Sequence, residues 1–114
     1  MVIEEIIKNF INRISDTPVF FEVPEKNIPE EFFLIEKTGS SMENHINSST
    51  LTVKSYAGRL FRASVLNDYI KHELIYRFIQ EQEIISVQLN SDYNFTDTAE
   101  KRYRYQAVFD IKHY

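Results

Sequence analysis

TLTVKSYAGRLFRASVLNDYIKHELIYRF, residues 50–78, decides the fold. In its first seven residues Leu51, Val53 and Ser55 alternate with Thr50, Thr52, Lys54 and Tyr56. That is the two-residue period of a half-buried strand, and the segment is rich in β-branched side chains. Ala57-Gly58 ends the pattern, and from Arg59 the period changes. Leu60, Ala63, Leu66, Ile70, Leu74 and Phe78 then recur at the three- and four-residue spacing of one helical face. Phe61, Val65, Tyr69 and Tyr76 form a second apolar stripe beside the first. One face is enough to dock a helix on a sheet. The second stripe calls for a further cover, either another helix of the chain or another copy of it.

On the N-terminal side, residues 2–15 read as an amphipathic helix. Ile3, Ile6, Ile7, Phe10, Ile11 and Ile14 line one face, with Glu4, Glu5, Lys8, Asn9, Asn12 and Arg13 opposite. The mixed charge of that polar face favours core packing over a membrane-surface helix, whose polar face is rich in Lys and Arg. Asp16-Thr17-Pro18 ends the helix, because the residue before proline leaves the helical region. Val19, Phe21 and Val23 alternate as a short strand. Pro24 and Pro29 bracket a loop, and residues 31–38 form a strand whose Phe32-Phe33-Leu34-Ile35 run implies cover on both faces. Residues 39–49, GSSMENHINSS, lack any period and read as a long hairpin loop, mobile in the free chain and ordered by a partner.

On the C-terminal side, Ile85, Val87 and Leu89 alternate in a strand over residues 84–90, and residues 91–100 read as a polar connector. The clearest strand follows, with Tyr103, Tyr105, Ala107, Phe109 and Ile111 on one face. Helix, three strands, helix and two strands make an α+β domain spanning residues 1–114. The sheet is single, mixed or mainly antiparallel, of about five strands, with two helices packed on it.

Composition narrows the function. The 114 residues suit one domain, and 43% hydrophobic with 26% charged residues is globular. The absence of cysteine excludes disulfides and thiolate metal sites and fits a reducing cytoplasm. Glu4 and Glu5 stand where a signal peptide carries positive charge, and no apolar run reaches the roughly 20 residues that span a bilayer. No membrane association is expected. The net charge of −4 is uneven, with nine acids against four bases in residues 1–50. A duplex-binding domain shows a basic excess instead.

Catalytic constellations are thin. His45, His72 and His113 form no metal spacing, and no glycine-rich phosphate loop exists. Ser40 and Ser41 near His45 have nothing rigid to orient them as nucleophile and base. Arg102-Tyr103-Arg104-Tyr105 mixes bases and aromatics, but on a strand these point to opposite faces and build no single stacking platform. The chain is therefore expected to be no enzyme, with no cofactor, no metal and all three histidines dispensable for chemistry.

Several stretches together resemble the tail terminator, or tail-to-head joining, proteins of long-tailed bacteriophages. They are FFLIEKTGSS from Phe32, TLTVKSYAG entering its helix, and the closing SDYNFTDTAEKRYRYQAVFDIKHY. In that family the closing unit is a Tyr- and Asp-containing connector before an Arg-Tyr strand start. Here the matching positions are Tyr93, Asp97, Arg102 or Arg104, and Tyr103 or Tyr105. The resemblance implies a structural protein of the virion tail, assembled in the cytoplasm of a bacterial host. It implies a homo-oligomeric ring, commonly a homohexamer, that caps the tail tube, stops its polymerisation and docks the head. The implied partners are other copies of the chain, the tail tube protein and a head-closure protein, with DNA passing through unbound.

On this reading Arg59, Phe61, Arg62, Val65, Tyr69, Tyr76, Met42 and His45 belong to subunit or partner interfaces. Arg59 and Arg62, at the positive end of their helix, would meet carboxylates of a neighbour. Glu22, Glu25, Glu30 and Glu31 would face the channel and repel the duplex. The alternatives are another head–tail connector protein, a small peptide- or nucleic-acid-binding module, or an enzyme with its site in residues 39–49.

Overall fold

The computed structural model describes residues 2–96 and 102–114. Helix α1 (Ile3–Ile14) is followed by strands β1 (Val19–Phe20), β2 (Phe32–Glu43) and β3 (Ile46–Ala57). Helix α2 (Leu60–Tyr76) continues into a 3₁₀ turn (Phe78–Gln80) and strands β4 (Ile84–Asn94) and β5 (Tyr103–His113). The strands form one mixed sheet in the order β1-β2-β3-β5-β4, in which only the β1–β2 pair is parallel. The α+β architecture is thus as the periodicities predict.

Both helices lie on one face of this sheet. Ile3, Ile7 and Ile11 of α1 share a core with Ala63, Leu66, Ile70 and Leu74 of α2. The sheet contributes Phe33, Ile35, Leu51, Val53, Ala107, Phe109 and Ile111 to the same core. Each of these strand residues occupies the inward phase of its two-residue period. Phe10 and Phe78 pack with ring centroids 5.1 Å apart and join α1 to the 3₁₀ turn. The Tyr69 hydroxyl donates to the Ile14 carbonyl at 3.0 Å, fastening the end of α1 to α2.

The apolar run 32–35 is buried on both sides, as its composition requires. Phe33 and Ile35 face the helices. Phe32 and Leu34 join Tyr56 on the other side, under Phe20 and Val23. Phe32 and Tyr56 are cross-strand partners with stacked rings 4.5 Å apart. Of the crossover over residues 21–31, Val23 covers the helix-free face at this end, while Phe21 turns to Lys8 of α1.

Residues 39–49 differ from the expected loop. They continue β2 and β3 as a regular hairpin, with Ser40 opposite Ser49 and Ser41 opposite Ser48. Asn44 and His45 make its two-residue turn, both with positive φ (52° and 65°). Two consecutive left-handed residues are the mark of the turn whose twist matches that of its strands. The segment lacks hydrophobic alternation because its β2 half is exposed on both faces, so ladder hydrogen bonds hold it instead of burial. The expected mobility is corrected accordingly: amides of the ladder should show hydrogen-exchange protection in the free chain. His45→Gly should raise stability by about 0.5–1 kcal/mol, since glycine adopts a positive φ without strain. Chemical denaturation of the two proteins checks it.

Two smaller boundaries also shift. β1 stops at Phe20, two residues in, and β4 runs on to Asn94 into the expected connector. The rest of that connector, including Asp97, lies outside the described residues.

Candidate functional site

The residues singled out for assembly fall at two ends of the molecule. At one end β2 and β5 begin and β3 and β4 finish, and α2 starts there with Arg59 as an N-cap that makes no side-chain capping bond. The first turn of α2 contains no acid of its own. The crossover brings two: the Glu30 carboxylate lies against Gly58, and Glu31 accepts from Arg62 Nε at 2.8 Å and Nη2 at 2.9 Å.

Arg62 has its carboxylate inside the chain, and Glu31, read as a channel-facing acid, is that carboxylate. The hydrogen bond from Arg62 holds the Glu31 carboxyl below its ordinary 4.5, against a weaker opposing effect of burial, with the Arg62 charge adding to the lowering. The same pairing raises Arg62. A lowered carboxyl pKa contributes stability above 4.5 that is lost as pH falls through the lowered value. Glu31→Gln should therefore lower neutral stability slightly, as befits an exposed pair, and flatten the acid limb of a stability–pH profile by the same small amount. Glu22, Glu25 and Glu30 remain exposed on the crossover.

The second stripe of α2 divides. Val65 and Tyr69 are half-buried, and α1 takes the Tyr69 hydroxyl, so part of the stripe is covered within the chain. Phe61 and Tyr76 are not, at 76% and 66% exposure. They stand near opposite ends of a 17-residue helix roughly 25 Å long, so they belong to separate surfaces. At the hairpin end, Met42 (68% exposed) and His45 are both open.

The Arg-Tyr strand start resolves as its alternation requires. Tyr103 and Tyr105 pack against the helix-side core. Arg104 turns to the other face, where Nε donates to the Phe95 carbonyl at 2.7 Å and Nη1 to the Tyr56 hydroxyl at 2.9 Å. Its guanidinium lies 4.5 Å from the Phe95 ring centroid, and Phe95 meets Tyr93 edge-on. Tyr93 and Arg104, two positions of the resemblance, thus come together around Phe95, which no sequence pattern marked.

The rest of the helix-free face is polar. Gly39, Ser41, Ser48, Thr50, Gln88 and Asp110 border a shallow groove of about 350 Å³. Asp110 accepts from Thr50 Oγ1 at 3.1 Å and from Asn90 at 3.0 Å, so its carboxylate is already satisfied. No group of three or more metal-ligating side chains occurs among the described residues, nor is any helix there long and apolar enough to cross a membrane.

Sequence reading missed one polar pair. Ser49 Oγ and His113 Nε2 are 2.9 Å apart, both side chains buried on the helix side of β3 and β5. They are 64 residues apart in sequence, and no spacing motif could have joined them. Ser40, Ser41 and His45, the imagined nucleophile and base, are instead ladder and turn residues. No protein-family model matches the chain, and no curated protein matches its sequence.

Proposed function

We propose that this chain is a structural subunit of a phage or prophage tail. As a homo-oligomeric ring, commonly of six copies, it closes the tail tube and joins it to the head. The single observation that carries the reading is Phe61: a phenylalanine three-quarters exposed, on the helix turn that also bears Arg59 and Arg62. Exposed aromatic side chains backed by arginines are the composition of protein contacts. The motif order of residues 32–114 supplies the kind of assembly. The exposed acids of the crossover, Glu22, Glu25 and Glu30, suit a wall that must not retain phosphates.

The nucleic-acid-binding alternative has less support, because Arg104 is committed to Phe95 and Tyr56. Phe61→Asp tests the proposal with little cost to the fold, since the side chain is already in water. In light scattering, wild-type protein should form a ring of fixed mass, and it should halt the growth of tail tubes seen by electron microscopy. The variant should need about tenfold more protein to assemble. A wild-type chain that stays monomeric and leaves tube growth unchanged would sink the idea.

A further inference from the structure

The sheet has two open sides. β1 pairs only with Phe33 and Leu34, so among the described residues no strand pairs with the outer side of residues 35–43 of β2, and β4 borders the sheet on the far side. Free backbone groups along such edges are templates for another strand. We infer that copies of this chain join edge to edge, the outer side of β2 in one copy pairing with β4 of the next. The inference rests on the self-assembly part of the reading above, not on its tail-closing part.

Direction permits it. β2–β3, β3–β5 and β5–β4 are all antiparallel, so β2 and β4 run in opposite senses. A second copy set beside the first with its helices on the same side therefore meets it antiparallel, the stronger pairing. Length permits it too, with nine free residues in β2 against the 11 of β4. The already occupied end of β2, at β1, falls opposite the finish of β4. Because the two edges differ, the contact is heterologous and can close a ring that leaves no edge open.

Side-chain phase then selects a register. Ser41 and Ser86 both point to the helix-free face, while Lys37 and Leu89 both point to the helix side. Placing Ser41 opposite Ser86 sets Gly39 opposite Gln88 and, past the bulge at Thr38, Lys37 opposite Leu89. Of the two β4 irregularities, at Ile84/Ser86 and at Leu89/Ser91, the second falls at the next step. It and the β2 bulge adjoin, so both edges bend together at one place, while a flat foreign strand would not follow them. Leu89 also finds a destination. It is 38% exposed in the single chain. Beside Ile35 and Lys37 lies a groove of about 360 Å³ walled by Val2 and Phe21, within reach of a side chain on an added strand.

The chain has no cysteine, which makes cross-linking clean. Ser41 and Ser86 lie on strands three spacings apart within one chain, about 14 Å, beyond the roughly 7 Å limit for a disulfide. Any bridge between them joins two copies. Oxidised Ser41→Cys/Ser86→Cys protein should give a ladder of covalent oligomers ending at the closed ring, while each single variant gives dimers at most. Leu89→Lys, at a position already partly in water, should raise the concentration for half-assembly about tenfold with unchanged circular dichroism. A double variant that bridges no further than the singles, or wild-type assembly by Leu89→Lys, overturns the inference. A ring without a ladder removes edge pairing and leaves the tail reading standing. A ladder without tube capping supports edge pairing and removes the tail reading.

Discussion

Phe78→Ala should lower the stability of the chain by about 3–5 kcal/mol, the cost of deleting a fully buried aromatic ring and leaving a cavity. Phe78 opens the 3₁₀ turn after α2 and has no exposed surface. Its ring packs on Phe10, so it belongs to the junction of α1, the turn and the sheet. The neighbouring fastenings cannot replace it. Arg13–Glu81 is an exposed ion pair, and such pairs contribute about 0–1 kcal/mol. Tyr69 to Ile14 is one hydrogen bond. Whole domains have only about 5–15 kcal/mol, so one ring accounts for a large part. Phe61→Ala, at the other end of the same helix, removes an exposed ring and should stay within about 0.5 kcal/mol. Urea unfolding of both variants separates the two. A midpoint for Phe78→Ala close to that of Phe61→Ala would mean that α1 is not held where it is described.

The contrast between the two phenylalanines also shows what a sequence can reveal here. Phe78 continues the Ala63–Leu66–Ile70–Leu74 stripe, and periodicity placed it in the core correctly. Phe61 belongs to the neighbouring stripe, which periodicity identified but could not divide. Tyr69 is met by the end of α1, a contact between residues 55 apart, whereas Phe61 stays exposed and the Tyr76 ring meets only the His72 ring one turn back among the described residues. The hairpin at residues 39–49 was illegible for a different reason. A strand declares itself through one buried face, and the β2 half of this hairpin has none. Its remaining signal was Asn44-His45 between Met42 and Ile46, a two-residue turn beginning with the asparagine such turns favour. Glu31 and Arg62 were each noticed for their charge and assigned to separate surfaces. Charge is legible in a sequence, but the partner of a charge is set by the crossover, whose path no local pattern encodes.

His113→Leu should cost about 1–3 kcal/mol, although the ring is replaced by a side chain of good hydrophobicity. The loss comes from Ser49, whose hydroxyl would remain buried without its partner. In the native chain both ring nitrogens have partners: His113 Nδ1 lies 3.2 Å from the main-chain oxygen of Tyr114, and Nε2 lies 2.9 Å from Ser49 Oγ. Ser49→Ala should cost a similar amount by stranding the imidazole nitrogen. The double variant Ser49→Ala/His113→Leu removes both polar groups together, so it should be less destabilised than the two single losses added. Dispensability for chemistry, expected of all three histidines, is a separate matter from stability, in which they differ by position. His45 sits exposed in a turn where glycine is preferable, while His113 holds a buried polar contact between the two central strands. A serine hydroxyl facing an imidazole also invites a catalytic reading. Both side chains are more than nine-tenths buried, however, which leaves a substrate no access to the serine hydroxyl. Ester hydrolysis should therefore be unchanged between wild type and Ser49→Ala, while the unfolding midpoint moves. A turnover that disappears with Ser49 would reverse that conclusion.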